Sequence, residues 1–151
     1  MPQTRCGWDD SPGVSGRDFL VAHGPTLSVN IGFDPGYQPN NPVTPTPGIT
    51  GVWALVDTGA VASCIDSTLA ASLNLPIIDR QTISGVSGPR TVNMRLAQIH
   101  IPTLNFTIYG SFAAVDLAAG GQRHLALIGR TFLQHFTMTY EGRNGTVTIS
   151  S

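Results

Sequence analysis

From Thr26 to Phe33 apolar and polar residues alternate, which puts Leu27, Val29, Ile31 and Phe33 on one face. That period of two predicts a half-buried strand. Val52 to Val56 (VWALV) follows a different pattern, a short continuous apolar run. It predicts a strand covered on both faces. The run stops abruptly at Asp57-Thr58-Gly59. Between the two segments, Asp34 to Thr50 shows no periodicity and carries Pro35, Pro39, Pro42, Pro45 and Pro47. Proline has no N–H to give a ladder, so this stretch is expected to be a long loop.

Ser67 to Leu75 places Leu69 and Leu73 four residues apart, with Ser or Thr available as N-cap and Pro76 as terminator. A short amphipathic helix is predicted. Gln81 to Ile101 reads as two strands joined at Gly85-Val86-Ser87-Gly88-Pro89, a hairpin. Leu104 to Val115 is a further strand pair or one long bent strand. Leu125 to Ile128 is a second apolar run, halted at Gly129, and Thr131 to His135 suits a helical turn. Phe136 to Ile149 reads as a closing hairpin that turns near Asn144-Gly145, a favoured turn dipeptide. The pattern predicts an all-β fold of many short strands with one or two short helices. Residues 1–24 are expected to be an irregular N-terminal arm, and 25–151 one domain with a Pro-rich insertion at 34–50.

Composition narrows the function. The 151 residues suit one domain with its own core. Charged residues are 11% of the chain and the net charge is −1. Neither nucleic acid nor an anionic membrane is implied as partner. Seventeen glycines and eleven prolines call for many turns. Cys6 and Cys64 are the only cysteines, and no CxxC pair exists. Two cysteines do not make a disulfide framework, and Cys64 suits a small buried apolar role. Residues Met1 to Asp10 show no secretory pattern, and no run reaches the roughly 18 apolar residues of a membrane span. A cytoplasmic protein is the expectation. The four histidines lack metal spacing, so neither metal nor cofactor is expected. Ser63 has no G-x-S-x-G context and Gly120-Gly121 has no following Lys-Ser/Thr, so nucleophilic serine and phosphate-loop chemistry are not indicated.

Asp57 is the residue with chemistry. A carboxylate directly after five apolar residues should be largely desolvated, and an isolated buried carboxylate is costly unless paired or protonated. Gly59 permits a tight turn, and the Thr58 hydroxyl can fix it. The segment Ala54-Leu55-Val56-Asp57-Thr58-Gly59-Ala60, followed by Ser63 and Ile65, resembles the active-site segment of retropepsin-like aspartic proteases. The helix ending Leu73-Asn74-Leu75-Pro76 resembles one in bacterial and cellular members. The Ile83–Pro89 hairpin is similar to the family's glycine-rich flap, Leu127-Ile128-Gly129-Arg130-Thr131-Phe132-Leu133 to its late Gly-Arg motif, and Tyr140 to Ile149 to its closing hairpin. The resemblance spans about Leu27 to Ile149.

Two positions depart from the pattern. Val61 stands where retroviral members carry an acid that pairs with the late arginine, and Thr131 replaces the late Asp/Asn. Gly16-Arg17-Asp18-Phe19-Leu20 also matches the late motif, but it precedes every core strand and reads as arm.

The resemblance implies a closed barrel acting as a homodimer, with peptide or protein as substrate. Asp57 and its copy in the partner would hold one water and share one proton, since two adjacent carboxylates cannot both ionise. Thr58, Gly59 and Ala60 would form the active-site loop. Leu127, Ile128, Gly129 and Arg130 would form a second loop beside it. Ile83, Ser84, Gly85, Val86, Ser87 and Gly88 would cover the substrate. A module that keeps the fold without turnover, and a protease acting only on its own chain, are the alternatives.

Overall fold

Leu27, Val29 and Ile31 are buried, as their alternation requires, on strand β2 (Thr26–Gly32). β2 belongs to a computed structural model that describes residues 2–85 and 88–151. The other strands are β1 (Gln3–Arg5), β3 (Ile49–Val56), β4 (Cys64–Asp66), β5 (Ile77–Gly85), β6 (Gly88–Ile101), β7 (Phe106–Val115), β8 (Ala126–Ile128), β9 (Thr137–Glu141) and β10 (Thr146–Ser150). The α-helical segments are α1 (Gly16–His23), α2 (Ser67–Ser72) and α3 (Arg130–Leu133).

One sheet has seven strands in the order β2-β3-β8-β4-β7-β6-β5. β2 also pairs with β6 through Asn30–His100, Ile31–Ile99 and Gly32–Gln98, so the order returns on itself. β5 and the outer half of β6 form a hairpin arm. A second sheet, in the order β1-β10-β9, joins the two chain ends. Ile31, Ile99, Ile128 and Ile149 are fully buried, each contributing about 1.5–3 kcal/mol relative to exposure.

Three segments differ from what the residue pattern predicts. β3 is not covered equally on both faces: Val52, Ala54 and Val56 are buried, while Trp53 is exposed and Leu55 half-buried. The apolar residue Trp53 sits on the outer face because it meets the Trp8 ring at 5.4 Å. The first 24 residues are not irregular, since β1 pairs with β10 and α1 is capped by Ser15, whose Oγ accepts from Asp18 N. The Gly16-Arg17-Asp18 sequence lies in α1, with Phe19 stacked on Trp8 and Leu20 buried. The described residues also hold three α-helical segments where one or two were expected, and β4 was not foreseen.

The Pro-rich stretch is a loop. Its ends are tied by Asp34, whose carboxylate accepts from Thr46 N and Gly36 N, both at 2.9 Å. Those two N–H donors, Thr46 first, hold the Asp34 carboxyl below the usual range. Gln98 clasps the Asp34 backbone, accepting from its N–H and donating to its carbonyl.

Candidate active site

β3 and β8 run parallel, with Ala54, Leu55 and Val56 opposite Ala126, Leu127 and Ile128. Both strands therefore end at the same place, and Asp57 and Gly129 begin adjacent loops. The loops are sewn together by main-chain hydrogen bonds. Asp57 N donates to the Ile128 carbonyl at 2.9 Å, Arg130 N to Ala60 O at 2.9 Å, and Thr131 N to Val61 O at 2.9 Å. The Arg130 guanidinium adds a fourth tie, from Nη1 to the Thr58 carbonyl at 2.7 Å. With Val61 in place of an acid, the arginine therefore holds a main-chain oxygen of the aspartate loop.

The junction leaves no room for a side chain at Gly129. A Cβ there would lie 2.8 Å from the Ala62 carbonyl carbon and oxygen and 2.9 Å from Val61 O, all backbone atoms. The Gly129 N–H is buried, and Ser63 Oγ accepts from it at 3.0 Å. Ser63, which carries no nucleophile context, is thus a buried brace between the loops. The sequence marks Ser63 as part of the segment around Asp57 but not as a brace to Gly129.

Asp57 departs from expectation in burial. In the single chain it is half-buried, and Thr58 and Gly59 are exposed. Strand alternation explains this: Asp57 follows buried Val56, so it falls on the outer face with Leu55. Its Oδ1 accepts from Gly59 N at 2.8 Å. The described residues give Oδ2 no hydrogen-bond partner. The carboxylate that is buried is Asp66, 1% exposed, which sequence reasoning passed over. Its oxygens accept from Leu117 N, Ala118 N and Leu69 N, capping α2 and fixing the turn after β7.

One line of register runs across five strands from the aspartate. Leu55 opposes Leu127, Leu127 opposes Cys64, Cys64 opposes Ala113, and Ala113 opposes Met94. All five are half-buried, while residues next to them along the strands, Val56, Ile128, Ile65 and Ala114, are buried. The face that carries Asp57 is therefore a partly open apolar wall. Burial pushes the Cys64 thiol up to about 11, against a hydrogen bond from the Leu127 backbone and with help from the Asp57 charge.

Among the remaining expected site residues, Leu127 is half-buried, Ile128 and Gly129 are buried, and Arg130 is exposed. Ile83, Ser84, Gly85 and Gly88 lie at the end of the β5–β6 arm, with Ile83 opposite Arg90, Ser84 opposite Pro89 and Gly85 opposite Gly88. Val86 and Ser87 lie outside the described residues. Among those described, no hydrogen bond joins the arm's end to residues 57–60.

Among the described residues, no cluster of three His, Cys, Asp or Glu is placed to hold a metal ion. No described helix is long and apolar enough to cross a membrane.

A family model described as aspartyl protease matches residues 47–132, which include both loops. Among solved structures, EIAV protease complexed with the inhibitor HBY-793 is similar at 20% identity, over 74% of this chain and 86% of that chain, with a TM-score of 0.48. No curated protein matches this chain.

Proposed function

The chain belongs to the aspartyl protease family, and we propose that it is an aspartic endopeptidase whose active centre forms when Asp57 meets its copy in a second chain. The observation that carries this reading is the presentation of Asp57. One oxygen is fixed by Gly59 N, the other has no hydrogen-bond partner among the described residues, and the loop is tied to its neighbour at four points.

The chemistry follows from the charge. A lone half-exposed carboxylate cannot both accept a proton from water and donate a hydrogen bond to a carbonyl. Two carboxylates about 3 Å apart share one proton and do both. The ionised member takes a proton from the bound water as it attacks the scissile carbonyl. The protonated member hydrogen-bonds the carbonyl oxygen as charge develops there. The sequence has a single Asp-Thr-Gly, and a two-fold axis would supply the second acid.

In this reading the β2–β6 pairing closes the sheet into the barrel that holds the loops rigid. The row from Leu55 to Met94 forms the wall for apolar side chains of an extended substrate. The described part of the β5–β6 arm lies along that substrate. The Arg130 bond to Thr58 O favours the catalytic reading over a fold kept without turnover, because it ties the aspartate loop without an acid at position 61.

The test is cleavage of a peptide library at about pH 4–6, where a shared-proton dyad works, with and without pepstatin. Cleavage that pepstatin and Asp57→Asn each abolish supports the reading. Cleavage that survives Asp57→Asn, or none at any pH or concentration, contradicts it.

A further inference from the structure

All eight basic residues of this chain are arginines, and three of them line one cleft. The cleft has a volume of about 580 Å³ and runs along the β5–β6 arm beside the end of β7. Arg80, Arg90 and Arg95 face a single lining carboxylate, Asp116. A chain of net charge −1 has thus concentrated positive charge where it is not needed for balance.

The arginines are only partly used. Arg90 Nη2 donates to Asp116 Oδ2 at 3.0 Å, and the other Asp116 oxygen is taken by the Ser67 hydroxyl. Arg95 Nη1 donates to the Leu75 carbonyl at 2.8 Å, but its Nε has no acceptor among the described residues. The Arg80 guanidinium has neither hydrogen-bond nor ion-pair partner among them. Guanidinium forks match carboxylates in pairs of parallel hydrogen bonds. The volume lies well within the range of small-ligand sites.

The rest of the lining discriminates between anions. Ile83, Val92 and Ala114 contribute apolar surface beside the arginines. A bare inorganic anion gains nothing from that surface, whereas a glutamate side chain brings a methylene stem with its charge. The cleft excludes Asp57 from its lining but includes Ile83 and Arg90 of the arm. We propose that this cleft is a subsite that selects peptides bearing acidic side chains. It rests on the peptidase reading for the ligand being a peptide.

The test uses the Asp57→Asn chain, which binds without turnover, and fluorescently labelled peptides differing only in Glu or Gln. Fluorescence anisotropy should show the Glu peptide bound at least tenfold more tightly, with the preference shrinking as salt rises. Arg80→Gln should weaken the preference, and Arg80→Gln with Arg95→Gln should erase it. Equal binding of the two peptides overturns the proposal, as does a preference that survives in the folded double variant. Binding of inorganic phosphate with no preference for the Glu peptide also overturns it. If the parent chain cleaves nothing while the Asp57→Asn chain keeps the Glu preference, the peptidase reading fails and the subsite stands. If the parent cleaves Glu and Gln peptides equally, the subsite fails and the peptidase reading stands.

Discussion

Ser63→Ala removes the only acceptor that the buried Gly129 N–H has among the described residues. The bond is 3.0 Å long, and Ser63 is 5% exposed. Deleting the hydroxyl leaves a buried donor with no partner, which costs about 1–3 kcal/mol. The gap left by one hydroxyl is smaller than a water needs, so solvent does not replace the bond. For a chain of this length each kcal/mol lowers Tm by about 2–4 °C, so the variant should melt about 2–12 °C below the parent. Peptidase activity should fall further than the lost stability explains, because the brace holds the Asp57 loop against the Gly129 loop. Thermal melts by circular dichroism read the first effect, and kcat/KM below the melting range reads the second. Ser111→Ala, on an exposed strand position, is the control and should stay within about 0.5 kcal/mol. A Ser63→Ala chain that melts with the parent would refute the brace.

Gly129→Ala should be at least as damaging, because the new Cβ meets backbone at 2.8 Å; overpacking of this kind costs about 1–3 kcal/mol, read by the same melts, and parent-like stability would contradict it. Burial holds His100 and His124 below the usual imidazole range, with the His23 charge adding at His124. The unfolded chain takes up protons near pH 6.5 that the native chain refuses, so stability should be full above that pH and decline as pH falls below it. Urea titrations at pH 7.5 and 5.5 measure the decline, and His124→Gln should flatten it; a chain more stable at pH 5.5 would contradict it. Cys64, with its thiol near 11, should be alkylated at a rate that climbs about tenfold per pH unit from pH 7 to 9. Peptide mapping by mass spectrometry separates it from Cys6, and a plateau below pH 9 would count against its burial.

The strands that alternation predicted are present because each buries one face, as Leu27, Val29 and Ile31 show. The Asp57 turn and the Gly129 stop were legible because both interrupt apolar runs. Burial of Asp57 was misread for a tertiary reason. VWALV looks like a doubly covered strand, yet Trp53 lies on the exposed face, where its ring meets that of Trp8, 45 positions earlier in the sequence. The N-terminal strand was illegible because three residues carry no period, and its partner β10 lies at the far end of the chain. β4 was hidden likewise: Cys64 to Asp66 is too short to show alternation, and it exists because β7 and β8 flank it. The Arg130 bond to Thr58 O could not be read from a motif whose usual acid is missing. The arginine cleft gathers residues from both strands of the arm, and only the fold brings Asp116 to them.

A catalytic centre made of two identical aspartates has a stoichiometric signature. A fixed amount of active parent chain is mixed with a threefold excess of Asp57→Asn chain, the subunits are allowed to exchange, and peptide cleavage is measured. If Asp57 from both chains is required, random pairing leaves about a quarter of the original activity. Activity that stays at its original level after exchange would show that one Asp57 suffices, and the shared-proton centre would be excluded.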